Sequence, residues 1–296
     1  MYEDIRNNKI KSGVIISIFL IMITLIVYYI CMANNLGIMS IVIALVVSIS
    51  TSFISYYNSD KIVLSMSNAR PATEEENKKL INILDGLVVS SGIGVTPKLY
   101  IVDDPQPNAF ATGRNPEHSV ICVTTGLLDR LNYYELEGVI GHELSHIANY
   151  DIRLSCVVTV MVGFVVMLSD IFTRSFFYSG RRNSDSKSGG NAVFMLLGLV
   201  FLLLAPIFGK LIQLAVSRRR EFLADATSVK YTRNPDAMIS ALEKISADPN
   251  ELRTANRSTA HMYISNPFRD KKILKSNIWS THPSLEARVE AIKNLK

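Results

Sequence analysis

The sequence is poor in cysteine, and the three cysteines that it has are far apart. Cys31, Cys122 and Cys156 form no Cys-x-x-Cys pair in this chain of 296 residues. An odd number of widely spaced cysteines argues against a disulfide framework and against a cysteine-ligated zinc site. A metal ion bound by this chain would therefore be held by nitrogen and oxygen ligands.

The sequence also lacks the charge pattern of a nucleic-acid-binding protein. Its formal net charge of +5 is modest for a chain of this length. The basic residues are spread along the chain and do not alternate with aromatic residues, as they do in many proteins that bind nucleic acid. We therefore expect no nucleic-acid partner.

Hydrophobic residues, in contrast, are abundant. They make up 48% of the chain, and the mean hydropathy of +0.22 exceeds what a soluble core requires. Residues 13–33 have the length needed to cross a bilayer and lack a signal-peptide cleavage pattern. Residues 38–57 form a second apolar run after an uncharged connection. The two runs predict a transmembrane hairpin within residues 1–60, which makes the lipid bilayer a partner of the chain.

Two further apolar runs are weaker candidates for membrane spans. They cover residues 154–172 and 192–216, and a polar, Gly/Ser-rich loop at residues 174–191 separates them. Basic residues flank both ends of the first hairpin, which predicts that the domain after it faces the cytoplasm. Because the loop is basic as well, two arrangements stay open. Either all four runs cross the membrane, or the second pair is a cytoplasmic or partly inserted hairpin that covers the functional site.

The polar parts of the chain, residues 61–153 and 217–296, predict one α+β domain in two pieces. Thr73 and Glu76 have the spacing of a capping box at the start of a helix. The helical spacing of apolar residues returns from about residue 131 to residue 149. Between these helices, segments rich in β-branched residues predict strands at residues 98–102, 109–112 and 119–124.

A short motif on the second of these helices carries the clearest chemical signal. His142 and His146 are four residues apart, so both imidazoles lie on one face of the helix and can bind one ion. Glu143 lies beside that face and can reach a water molecule near the ion. This is the His-Glu-x-x-His arrangement of zinc metallopeptidases, in which the glutamate acts as general base. The alternative is a solvated polar face with two incidental histidines.

A third metal ligand is available on a later predicted helix. Glu221 and Asp225 are again four residues apart. We expect Glu221 to bind the metal and Asp225 to accept a hydrogen bond from a ligand histidine, which fixes the orientation of the ring. Three protein ligands leave a fourth position open, as in catalytic zinc sites. The sequence thus predicts one zinc ion per chain.

Four segments together resemble the HtpX family of membrane-bound zinc proteases. They are His142–His146 with Asp151 nearby, Arg220–Ala226, Asn108–Gly113 and Thr281–Arg288. The resemblance implies a mainly helical integral membrane protein with an α+β, gluzincin-type metallopeptidase domain. It also implies an endopeptidase in the cytoplasmic membrane of a bacterium, which acts in quality control on unfolded or membrane proteins. The chain is more distantly similar to the CaaX prenyl-protein endopeptidases.

The resemblance gives expected roles to two more residues. Asn108, beside a candidate edge strand, would help to hold the substrate backbone extended. His282 would donate a hydrogen bond to the oxyanion that forms during hydrolysis. His118 and His261 have no partner pattern, and we interpret both as incidental.

Two other functions compete with a quality-control endopeptidase. One is a catalytically idle membrane scaffold or chaperone with a structural metal, which would have no need of Glu143 as a base. The other is a CaaX-type processing enzyme, which has more membrane helices than the four that this sequence predicts.

Overall fold

The computed structural model describes residues 2–33, 37–179, 217–255, 258–268 and 283–295. The helices within these residues are α1 (Tyr2–Ala33), α2 (Met39–Tyr57), α3 (Ser59–Met66), α4 (Glu74–Ser91), α5 (Thr125–Arg130), α6 (Tyr133–Ala148), α7 (Asp151–Ser179), α8 (Arg218–Thr232), α9 (Pro235–Ala247) and α10 (Leu285–Lys293). The strands are β1 (Ala69–Pro71), β2 (Lys98–Val102), β3 (Ala109–Gly113) and β4 (Ser119–Thr124).

The first two helices have the properties of membrane-spanning helices. Residues Ile5–Tyr29 of α1 and Met39–Tyr57 of α2 are long and apolar enough to cross a bilayer. Large apolar side chains on both helices point outward, and Ile21, Leu25 and Phe53 are 59%, 61% and 61% exposed. Such exposure is costly in water and favourable in lipid. The predicted fold class, a mainly helical membrane protein with a small α+β domain, is confirmed.

Helix α7 lies alongside α1 and runs in the same direction. Its residues between Leu154 and Val165 pack against α1 residues between Ile15 and Ile26, and the rings of Phe19 and Phe164 meet edge to face at 5.5 Å. The predicted span at residues 154–172 lies within this helix. The predicted span at residues 192–216 lies outside the described residues, as does most of the polar loop before it.

A four-stranded mixed sheet forms the centre of the polar domain. The strand order is β1-β2-β4-β3, so that β3 is an edge strand. β3 pairs with β4 in antiparallel orientation, and β2 pairs with β4 in parallel orientation. The three strands predicted from β-branched patterns are confirmed. β1 was not predicted, because three residues that include Pro71 are too short to give a pattern.

Helix α6 packs on this sheet and against α8. Its apolar face, with Val139, Ile140 and Leu144, is fully buried. A Cβ atom at Gly141 would lie 2.9 Å from the Ser228 Oγ atom on α8. A side chain at this position would require the Ser228 hydroxyl to move, so the glycine favours the close approach of the two helices. This approach places the Glu221-to-Asp225 segment of α8 beside the His-Glu-x-x-His segment of α6.

Helix caps fix where the two predicted helices begin. The Thr73–Glu76 capping box at the start of α4 is confirmed, since each residue's side chain bonds the backbone of the other. Helix α6 begins with a second capping box, formed by Asn132 and Glu135. Glu135 also accepts hydrogen bonds from Ser240 and Lys244 on α9. The start of α6 is thus tied to the helix behind it.

Candidate active site

Three potential metal ligands converge at the contact between α6 and α8. One ligand atom each from His142, His146 and Glu221 lies within 4.8 Å of the other two. The two Nε2 atoms of the histidines are 3.2 Å apart. The Glu221 carboxylate oxygens lie 3.7 Å from the Nε2 atom of His142 and 3.7 Å from that of His146.

These separations suit a small tetrahedral ion. Two ligand atoms about 2.1 Å from a tetrahedrally coordinated zinc ion are about 3.4 Å apart. The observed separations of 3.2 and 3.7 Å lie on either side of this value. Two imidazoles and one carboxylate also favour zinc over calcium or magnesium, which prefer oxygen ligands. The residues therefore fit the metal that the sequence predicts.

A buried chain of charges holds the His142 ring in place. Its Nδ1 atom donates to the Asp225 carboxylate at 2.8 Å. Asp225 in turn accepts two hydrogen bonds from Arg288, at 2.8 and 2.6 Å. Burial raises the pKa of Asp225, but the charge and hydrogen bonds of Arg288 lower it by more, so that the net shift of the pKa is downward. Asp225 thus remains charged, and the Nε2 lone pair of His142 faces the metal position.

The second histidine is held in the same manner by a carboxylate from α7. The His146 Nδ1 atom lies 3.0 Å from an oxygen of Asp151. Burial lowers the pKa of His146, but the hydrogen bond with Asp151 and the charge of Glu221 raise it more, to about 9. A metal ion would have to displace the proton from the Nε2 atom, because only a neutral imidazole binds metal.

Glu143 lies beside the metal ligands and does not join them. Its side chain is 2% exposed, and the Ala111 N–H of β3 donates a hydrogen bond to it. Burial, together with the charge of Glu221, raises the pKa of Glu143 to about 7 against the opposing effect of His146. A pKa near neutrality suits a group that accepts and returns a proton.

These groups open onto one cleft, whose empty volume is about 450 Å³ when the open solvent at its mouth is included. Its walls include the metal-ligand group, Glu143, Ala111 and a segment at residues 261–264. His261, which we had interpreted as incidental, is 4% exposed and lines this cleft. Its sequence position gives no signal of this, because it follows no ligand spacing.

The open edge of β3 forms one side of the cleft and is partly covered by the chain itself. The Asn108 backbone carbonyl accepts a hydrogen bond from the Thr124 N–H of β4. Because successive residues of a strand direct their backbone groups to opposite sides, those of Ala109 and Ala111 face the open edge. Ile264 donates its N–H to the Ala109 carbonyl at 2.9 Å. The Asn108 amide group donates to the Ser265 carbonyl at 3.0 Å. Asn108 itself is fully buried, and it contacts this segment through Ser265.

The structure does not test the expected roles of His282 and Asn108. His282 lies outside the described residues, so its expected role stays a prediction. The role of Asn108 in substrate binding also stays a prediction, since its side chain contacts Ser265 in this structure. Arg288, in contrast, was part of a matching motif without an assigned role, and it proves to be the partner of Asp225.

The chain is similar to known proteins over nearly its whole length. Residues 74–296 match the sequence profile of Peptidase family M48. A "Protease HtpX homolog" of Dictyoglomus thermophilum is 44% identical over 292 residues, which cover 99% of this chain and 94% of that protein. A second, of Caldanaerobacter subterraneus subsp. tengcongensis, is 40% identical over 297 residues, which cover 100% of this chain and 98% of that protein.

One solved structure has a similar fold. The crystal structure of S. mikatae Ste24p superposes with a TM-score of 0.50 at 19% sequence identity. The match covers 99% of this chain and 67% of that chain. At this level of identity the similarity concerns the fold.

Proposed function

Because the chain belongs to peptidase family M48 and is a membrane metalloprotease, we propose that it is a zinc endopeptidase. One zinc ion would be held by His142, His146 and Glu221. The observation that carries the proposal is the convergence of these three ligand atoms within 4.8 Å, next to the buried carboxyl of Glu143.

In this mechanism each residue has a separate task. Zinc, when bound, polarises the scissile carbonyl and acidifies water. Glu143 takes a proton from the attacking water and delivers it to the leaving amine. Asp225 and Asp151 keep the two imidazoles oriented with their Nε2 atoms toward the ion. His282 would donate a hydrogen bond to the oxyanion.

The β3 edge supports an extended peptide as substrate. The Ala111 carbonyl faces the open edge and could accept a main-chain hydrogen bond from an extended substrate, while the Ala111 N–H already donates to Glu143. Asn108 would assist indirectly. Its amide group binds the Ser265 carbonyl and so holds in place the segment that covers part of the β3 edge. Recognition through main-chain hydrogen bonds depends little on the side chains of the substrate, which suits unfolded proteins of varied sequence. We therefore propose quality control of unfolded or membrane proteins as the biological role.

The alternatives have less support. A purely structural metal would not need an open cleft or a buried carboxyl with a pKa of about 7 beside its ligands. A CaaX-type activity would need a pocket for a prenylated peptide, and no feature of the described cleft favours it.

The proposed function is tested by removing and restoring the metal. A strong zinc chelator is expected to abolish cleavage of an unfolded protein by the detergent-solubilised, full-length chain. Addition of zinc is expected to restore it, because the site has two imidazole ligands that calcium and magnesium do not prefer. Metal content by mass spectrometry and product formation are measured on the same samples. Full activity in samples without zinc would contradict the proposal.

Helix α7 bears on the orientation of the protein in the membrane. It has 29 residues, which span about 43 Å, more than the roughly 30 Å of a hydrocarbon core. Its first residues lie beside the start of α1, and the two helices run in parallel. If α1 leaves the cytoplasm, α7 would then leave it as well. This supports α7 as a third crossing. The predicted span at residues 192–216, which lies outside the described residues, would be the fourth, with the polar loop outside and the active site at the cytoplasmic face.

This topology predicts that Ser184, in the polar loop, is accessible from outside the cell. A single cysteine placed there, in a chain without Cys31, Cys122 and Cys156, is expected to react with a membrane-impermeant maleimide on intact cells. A cysteine at Lys79, which is exposed on α4, is the matched control and is expected to react only after the cells are opened. Protection of both positions in intact cells would contradict four crossings.

A further inference from the structure

A polar side chain at the start of the first membrane helix reaches the candidate metal site. Asn8 on α1 is 3% exposed. Its amide group donates one hydrogen bond to the Asp151 carboxylate at 2.7 Å and another to the Asn149 carbonyl at 3.1 Å. These partners are more than 140 positions away in the sequence. A buried amide with two partners is a defined contact, since an unpaired one would be costly.

The carboxylate that Asn8 contacts is the one that holds a metal ligand. One oxygen of Asp151 accepts from Asn8, and the other faces the Nδ1 atom of His146 at 3.0 Å. Arg220 donates to the Asn8-bound oxygen at 3.1 Å and to the Asn8 carbonyl oxygen of the side chain at 3.4 Å. The carboxylate is therefore fixed from three directions, and its free rotation is blocked.

Asn8 also fixes the corner between α6 and α7. The two helices meet at 83°, through Asn149 and through Tyr150, whose φ of +58° is left-handed. A left-handed backbone at a residue other than glycine costs energy and persists only where its surroundings hold it. The contact of Asn8 with the Asn149 carbonyl does so, and the Lys9 ammonium lies 4.3 Å above the Tyr150 ring.

We propose that Asn8 is a positioning residue of the metal site, through Asp151 and His146. The first membrane helix would then complete the active site in addition to anchoring it. This inference rests on the proposed function, since it requires His146 to bind metal. Asn8 lies before residue 74, where the match to the Peptidase family M48 profile begins.

Zinc affinity of the full-length protein tests the inference. Asn8→Ala is expected to weaken zinc binding by about tenfold, the lower end of what loss of an outer partner costs. Asn7→Ala is the matched control, because Asn7 is the same residue type, next in sequence and exposed. It is expected to bind zinc as the wild type does. Affinity is measured by competition with a chromophoric chelator in detergent.

A double variant separates positioning from general stability. If Asn8 acts through Asp151, Asn8→Ala is expected to cost less than about twofold in a chain that already carries Asp151→Asn. The visible spectrum of cobalt-substituted protein is expected to change in Asn8→Ala and to remain unchanged in Asn7→Ala. A role confined to stability would instead lower the unfolding temperature of the metal-free protein and leave the cobalt spectrum of the folded protein unchanged.

Three results would overturn the inference. They are wild-type zinc affinity in Asn8→Ala, an unchanged cobalt spectrum, and an equal loss of affinity in the Asp151→Asn background. Where Asn8→Ala does not fold, Asn8→Ser, which keeps a shorter donor, takes its place with the same expected direction. Failure of the proposed function has a different signature, since zinc would then remain bound after His146→Ala.

Discussion

Replacing Glu143 by glutamine is expected to lower the rate of peptide hydrolysis by about 10²–10⁴-fold, the contribution of a positioned general base. Glutamine has the same shape but accepts no proton. The three candidate ligands are unchanged, so zinc is expected to stay bound. The variant keeps the buried position of Glu143 and removes its carboxyl, whose pKa of about 7 suits proton transfer. The measurement is kcat on an unfolded protein, together with metal content.

The control for this variant lies on the same helix. Glu137 is on α6, outside the cleft, and Glu137→Gln is expected to cleave at the wild-type rate. If Glu143→Gln cleaved as fast as Glu137→Gln, the base would have to be another residue.

Replacing Glu221 by glutamine is expected to weaken metal binding and to leave the general base, Glu143, in place. A neutral amide is a much weaker zinc ligand than a carboxylate. The affinity is therefore expected to fall by more than the about 10–100-fold that an outer partner contributes. Activity at limiting zinc should fall in parallel and recover partly with excess zinc. Competition with a chelator measures the change.

An exposed glutamate on the next helix provides the comparison. Glu243 on α9 is exposed, and Glu243→Gln is expected to retain wild-type zinc affinity. Equal zinc retention by Glu221→Gln and Glu243→Gln at limiting metal would show that the third ligand lies elsewhere.

Much of the local structure could be predicted because the signals are short in sequence. The Thr73–Glu76 capping box, the three strands and the helix that carries His142 and His146 all depend on residues within a few positions of each other. The contact of Glu221 with these histidines could be predicted only from chemistry. Zinc needs a third ligand, and the spacing of Glu221 and Asp225, four residues apart on a later predicted helix, offered one.

The supporting contacts could not be predicted because they join distant parts of the chain. Asn8 meets Asp151 across 143 positions, and Arg288 meets Asp225 across 63. A single asparagine near an apolar run has no spacing that reveals its partner. The pairing of Ile264 with the β3 edge has no sequence signal either, because one backbone hydrogen bond depends on position and hardly on side-chain type.

The zinc ligand shell is the most direct test of the account, and X-ray absorption at the zinc edge measures it. For the zinc-loaded, full-length protein we expect only nitrogen and oxygen neighbours, at about 2.0–2.2 Å. The outer-shell scattering should correspond to two imidazoles. In Glu221→Gln, the first shell should change while both imidazoles remain. Sulfur at about 2.3 Å, or fewer than two imidazoles in the wild type, would contradict a site built from His142, His146 and Glu221.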